Sequence, residues 1–264
     1  MKEVAVEWRE DATGRIALVR FDRGASANPL ALSTMRALTE VARGFDAEPR
    51  LSAVVLAGRV DNFCLGFDLR DEETRALSRL PLAERRLALQ TGGRMCRAWA
   101  GIEALTISAI SGWCVGGGLA LAAATDLRVA APGARFYAPE IERGLNMSWG
   151  SVPRIVDLIG PARAKRMLIL AERVEAARAA EWGLIDEVAE DPKAAALALA
   201  RRAADKPPVP ARMIKRAIDA YAGALAETAS HADFDQFALA QADEDYEKRL
   251  AAFFGGGESG KADP

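Results

Sequence analysis

The sequence predicts a layered α/β core carrying a helical C-terminal region, and three observations predict it. Short apolar runs of strand composition recur between longer segments of helical period up to about residue 190. Beyond that point the strand signal stops and the chain turns alanine-rich. Glycine-bearing segments interrupt the alternating part where strands give way to loops and helices.

In chain order, VAVEW from Val4 and IALVRF from Ile16 read as strands, and Met35, Leu38, Val41, Ala42 and Phe45 follow at helical spacing. SAVVLAG from Ser52 is a third strand, and Leu87 to Trp99 can form a second helix. LTISAIS from Leu105 and DLRVAA from Asp126 complete the strand set. The KPPVP run at 206–210 separates a core of residues 1–205 from a helical region at 206–254. In that region Met213, Ala217, Ile218, Tyr221 and Leu225 make one apolar stripe, to which Phe234, Phe237, Leu250 and Phe253 add large side chains. So much apolar surface on a short appendage needs a partner, either a neighbouring subunit or the chain's own core. Residues 255–264, GGGESGKADP, read as a flexible tail.

Composition narrows the function classes. Half of the 264 residues are apolar and the net charge is −2, with both signs interspersed, so no nucleic-acid footprint is present. The start, MKEVAVEWRE, is charged, and no segment reaches the roughly 18 apolar residues of a membrane span, which predicts a soluble, unprocessed protein, while the cysteine usage favours a reducing, cytoplasmic setting. Cys64, Cys96 and Cys114 have neither metal-ligand spacing nor an even count. The single histidine, His231, lies far from the glycine-rich segments, so metal sites and histidine triads are poorly supplied. Acid and base work falls to carboxylates, with no metal and no cofactor expected.

Three segments carry the chemistry. In NFCLGFDL at 62–69, Gly66 permits a tight turn that turns the next N–H outward, although an ordinary strand-to-loop turn has the same form. In SGWCVGGGLALAAATD at 111–126, glycines precede a helical run, where a ligand can approach unpaired N–H groups whose dipole favours negative charge. Close packing of helix on strand would need the same glycines. Neither a dinucleotide fingerprint nor a P-loop fits the spacing. In FYAPEIERGLNMSWGSVPR at 136–154, Glu140 follows a proline among apolar neighbours, and a carboxyl so placed has a raised pKa that suits proton exchange. Glu142 and Arg143 beside it fit a solvated surface.

Taken together and in this order, the segments resemble the crotonase (enoyl-CoA hydratase/isomerase) superfamily, over about residues 4 to 254. The resemblance implies a spiral of ββα units with a C-terminal helical trimerisation region, giving a homotrimer or a dimer of trimers. It implies an acyl-CoA thioester substrate, of which coenzyme A is a part. It places the oxyanion-hole N–H groups at Phe67 and Gly117, surrounded by Leu65, Gly66, Asp68 and Gly116, and coenzyme A contacts at Ala25, Ser26, Ala27 and Arg70. Phe67, where alanine is common in hydratases of the family, should shape the acyl pocket. Trp149 lines that pocket too, or belongs to the core.

One departure bears on the reaction. Family hydratases hold the attacking water between two glutamates, and the position three residues beyond Gly117 is here Ala120. Glu140, 23 residues after Gly117, remains. A single acid/base is similar to the pattern of enoyl-CoA isomerases and some hydratase-lyases, so the expected reaction is double-bond migration or hydration. Cleavage of a carbon–carbon bond and a non-catalytic acyl-CoA-binding trimer are the alternatives. Ser148 stands where the dehalogenase branch has its aspartate. Cys114 has no neighbouring base and reads as a small buried residue.

Overall fold

The computed structural model describes residues 3–10, 14–24 and 27–255. Of the tail expected at 255–264, residues 256–264 lie outside what is described, as do Ala25, Ser26 and the side chain of Phe253, while Gly255 ends the last helix. Strands β1 (Val4–Glu10) and β2 (Arg15–Phe21) form an antiparallel hairpin in register from Val4 opposite Phe21 to Glu10 opposite Arg15. Helix α1 (Leu32–Gly44) crosses to β3 (Leu51–Ala57), which pairs parallel with β2. Helices α2 (Glu72–Ala76) and α3 (Leu82–Ala100) then lead to β4 (Leu105–Ile110), parallel to β3. All seven residues of β3 are buried, as expected of a parallel strand covered on both faces.

The chain next forms β5 (Trp113–Val115), α4 (Gly117–Ala122), β6 (Leu127–Ala130) and β7 (Arg135–Tyr137). Helix α5 (Ser151–Leu168) bends at Gly160 and Pro161, where the helical hydrogen bonding is broken. After it come β8 (Val174–Glu175), α6 (Ala176–Trp182) and β9 (Glu187–Val188). The main sheet has the order β1-β2-β3-β4-β6-β9, and a small second sheet has the order β5-β7-β8. The five strands read from the sequence are all present, whereas β5, β7, β8 and β9 have only two or three residues and show no period of their own.

One face of the main sheet packs on α1 and α3 through Leu38, Val54, Leu56, Met95 and Trp99. The other face packs on α7 (Pro192–Ala204) through Leu18, Val55, Ile107, Val129 and Ala200. Helix α7 begins with Pro192 at its first position and Asp191 accepting from the Ala194 N–H, a start that the sequence itself encodes.

The remaining helices are α8 (Pro208–Ala222), α9 (Ala226–Ser230), α10 (Asp233–Ala240) and α11 (Glu244–Gly255). The apolar side chains of this region divide in two. Helix α10 turns back onto α3, where Arg86 pairs with Asp235 at 2.7 Å, and its Phe234 and Phe237 line a cavity of the chain's own core. Met213, Ile218, Tyr221 and Leu225, on α8 and just after it, stay exposed in the single chain. Among the described residues no helix is long and apolar enough to cross a membrane.

Candidate active site

The cavity beneath α10 holds about 800 Å³ including its mouth, and it is walled by the three glycine-bearing segments, α3 and α10. Its first wall is the turn at Gly66, whose φ of +92 only glycine adopts freely. Cys64 Sγ accepts the Gly66 N–H at 3.3 Å and steadies that turn. Leu30 donates to the Gly66 carbonyl at 2.7 Å and accepts from the Asp68 N–H at 2.9 Å, so this pairing uses residues 66 and 68 and passes over the Phe67 N–H.

The second wall begins with Gly116 at φ +50, ψ −114, again a glycine conformation. Gly117 opens α4, where the first N–H groups have no intrahelical acceptor. The two turns are joined through a bridge between Cys64 and Cys114, with Cys64 donating to the Trp113 carbonyl at 3.0 Å and Val115 donating to the Cys64 carbonyl at 2.9 Å. A β-carbon added to Gly66 would lie 3.4 Å from the Gly117 nitrogen, and one added to Gly117 would lie 3.5 Å from the Phe67 nitrogen. The two glycines thus let the nitrogens border one gap. Cys114 is fully buried, and burial pushes its thiol well above the ordinary range, as befits a structural residue.

The third wall is the short 3-10 turn at 140–143 that follows β7 and Pro139. Glu140 Oε1 would lie 2.5 Å from a β-carbon on Gly116, so the carboxyl fills space that only glycine leaves open. Part of the residue reaches the surface, but its Oε2 is sealed from solvent and accepts no hydrogen bond. Burial pushes the Glu140 carboxyl up to about 7, against a smaller lowering by a hydrogen bond from its own backbone and by Arg143. Such a group can both take and return a proton near neutrality.

Most of the residues singled out from the sequence meet here: Leu65, Gly66, Phe67, Gly116, Gly117, Glu140 and Trp149 all line the cavity, together with Ala120 and Ser148. Asp68 does not. It pairs with Arg23 in a very short contact and accepts from the N–H groups of Arg70 and Asp71 at 3.0 and 3.1 Å, which makes it a fastener of the loop. Arg23 in turn faces Glu3 and Asp71 as well, at 3.5 and 3.2 Å, and its charge is offset locally. Arg70 borders an adjoining cleft, and the Ala27 carbonyl accepts from Leu65 N–H at 3.1 Å. Ala25 and Ser26 fall outside the described residues.

Arg143, read from the sequence as a surface residue, lines the cavity as well, three residues after Glu140 on the same turn. Gly92, Phe234 and Phe237 also went unsuspected as wall residues. For Gly92 and its neighbour the signal was a pair of glycines inside a helical run, which weakens the helix unless something needs the space. Among the described residues no cluster of His, Cys, Asp and Glu could hold a metal ion.

Residues 11–259 match the sequence model of the family described as enoyl-CoA hydratase/isomerase. The chain is 29% identical to the mevalonyl-coenzyme A hydratase of Aspergillus fumigatus over 91% of its own length and 89% of that protein. It is 26% identical to the short-chain-enoyl-CoA hydratase of Clostridium acetobutylicum, over 91% of each. In fold it is similar to an enoyl-CoA hydratase/isomerase crystal structure from Mycobacterium paratuberculosis, with a TM-score of 0.84, 24% identity, and coverage of 96% of this chain and 98% of that one.

Proposed function

Because the chain belongs to the enoyl-CoA hydratase/isomerase family, we propose that it holds the thioester oxygen of an enoyl-CoA between the N–H groups of Phe67 and Gly117, while Glu140 alone moves the proton. The observation that carries this reading is the Glu140 carboxyl packed against Gly116, one residue from Gly117 and able to change protonation near pH 7.

Deprotonated Glu140 takes a proton from the saturated carbon beside the thioester carbonyl of a 3-enoyl-CoA, and the electron pair moves through that carbon onto the thioester oxygen. Two fixed N–H donors stabilise the charge that develops there, and each such donor is worth about a hundred- to a thousandfold in rate. Returning the proton to a different carbon shifts the double bond. Hydration is the second outcome of the same enolate chemistry, with Glu140 handling the proton of water. Ala120 offers no second carboxyl, which also keeps cleavage of a carbon–carbon bond through this enolate as an alternative reaction. A non-catalytic acyl-CoA-binding role is less favoured, since a carboxyl with a raised pKa whose Oε2 is buried without a hydrogen-bond partner marks a functional site more often than a structural one. Arg70, at the adjoining cleft, suits a phosphate of coenzyme A.

A panel of 2-enoyl- and 3-enoyl-CoAs, assayed for isomerisation and hydration across pH, tests this. With Glu140 as base, kcat/KM for proton removal rises with pH through about 7 and levels above it, because only the carboxylate form can accept the proton. A profile that is flat through neutrality would remove Glu140 from the role.

The exposed stripe formed by Met213, Ile218, Tyr221 and Leu225 supports a homotrimer or a dimer of trimers, with residues 206–254 as the oligomerisation region. Sedimentation at micromolar concentration is expected to give a particle of three or six chains. A monodisperse monomer would contradict the assembly. A cytoplasmic setting goes with the free, buried cysteines.

A further inference from the structure

Two adjacent glycines, Gly92 and Gly93, sit inside α3, where glycine weakens a helix relative to alanine. Each has an aromatic ring where a side chain would be. A β-carbon on Gly92 would fall inside the Trp149 indole, and one on Gly93 would come within 2.5 Å of Phe234 Cε1. The indole is enclosed from the other side as well, because a β-carbon on Gly117 would meet its Cζ3 at 2.5 Å. Trp149 therefore occupies a slot between α3 and the start of α4, with the Phe67 ring edge-to-face at 6.1 Å.

The backbone confirms that this placement is imposed. Trp149 has φ +64 and is followed by Gly150 at φ +66. A bulky residue keeps a left-handed conformation only where its surroundings dictate it, and such strain gathers at functional sites. Here Arg154 Nη1 donates to the carbonyls of Trp149 and Gly150 at 3.3 and 3.1 Å, and the Gly150 N–H donates to Asp233 Oδ2 at 2.6 Å.

We propose that Trp149 is the specificity-determining residue that restricts the acyl group to one unbranched at the two carbons beside the thioester, and that Gly92 is the positioning residue that seats it. The inference rests on the reading that the thioester oxygen lies between Phe67 and Gly117. With Glu140 against Gly116 and Trp149 against Gly117 in one cavity, the carboxyl and the indole both border the space those two carbons enter. A substituent on either carbon meets the ring. Length is not what the ring limits: the cavity shares Phe67, Leu69, Leu89 and Phe237 with a larger adjoining cleft, into which a longer chain can run.

Titration calorimetry with saturated acyl-CoAs tests this without requiring turnover. Butyryl-, octanoyl-, isobutyryl- and isovaleryl-CoA are titrated into the parent protein, Trp149→Ala, Gly92→Ala and the double variant. The parent is expected to prefer butyryl-CoA over the two branched ligands by about tenfold or more, the effect of one misplaced methyl group in a shaped apolar pocket. Trp149→Ala should abolish that preference and leave the octanoyl-to-butyryl ratio nearly unchanged. Gly92→Ala alone should displace the indole, weaken the same preference and lower Tm. In the Trp149→Ala background it should raise Tm, since alanine is the better helix former and the slot is then empty. Trp149→Phe, expected to weaken the preference by a smaller factor, serves if the alanine variant does not fold. A Trp149 variant that keeps the parent's straight-to-branched ratio overturns the proposal, as does a Gly92→Ala that lowers Tm equally in both backgrounds. A parent that shows the preference yet converts no enoyl-CoA would leave this proposal standing and sink the catalytic reading instead.

Discussion

Glu140→Gln should lower kcat by about a hundred- to ten-thousandfold on every enoyl-CoA that the parent converts, the usual contribution of a positioned acid or base. The substitution preserves shape, and Oε2 accepts no hydrogen bond that the amide would have to replace. Folding and acyl-CoA binding should therefore stay near those of the parent, with the loss confined to turnover. The distinguishing measurement is kcat alongside the dissociation constant of a saturated acyl-CoA. Near-normal kcat in this variant would mean that another group transfers the proton. Ala120→Glu is the complementary change, but a longer side chain in a site that is 1% exposed brings an overpacking cost of about 1–3 kcal/mol.

Gly116→Ala should be nearly as damaging to turnover, and for two reasons that act together. A methyl group at that position would lie 2.5 Å from Glu140 Oε1, which forces the carboxyl to move. The backbone at φ +50, ψ −114 is also strained for any residue with a β-carbon, by about 1–3 kcal/mol. We expect kcat to fall by about a hundredfold or more, since displacement of a reacting group by about an ångström has that effect. Tm should fall by roughly 2–10 °C, the range that such strain implies for a chain of this size. If turnover stays within about a factor of three of the parent's while Tm falls, the carboxyl's seat against Gly116 does not matter for the chemistry.

The sequence was most informative where chemistry depends on the backbone. Gly66, Gly116 and Gly117 are residues without side chains at positions that tolerate none, and the resemblance carried by the three segments together marked two walls of the cavity. Glu140 was legible because a proline and apolar neighbours surround it, and the same surroundings raise its pKa. The long strands were visible through their composition, and β3 through a run of seven buried residues. What stayed hidden depends on distant contacts. Asp68 reads from the sequence equally as a substrate contact and as a loop-fixing carboxylate, and only its pairing with Arg23, 45 residues earlier, decides for the second. Arg143 shares the polar face expected of a surface turn, and only the arrival of α10 across the cavity and of α11, whose Arg249 donates to the Glu142 carbonyl, covers that turn. The strands β5, β7 and β8 have two or three residues each and exist because they pair with one another, which no local pattern announces.

At residues 67 and 117 the groups that border the gap are amides of the main chain, and the side chain of Phe67 sits apart from its own nitrogen, against the Trp149 ring. On the proposed reading of the site, a mutation at residue 67 resizes the acyl wall without deleting a donor. Descendants of this chain can change what they accept by single substitutions while inheriting the same electrostatics, and the glycines that shape the turns are the letters they are least free to rewrite.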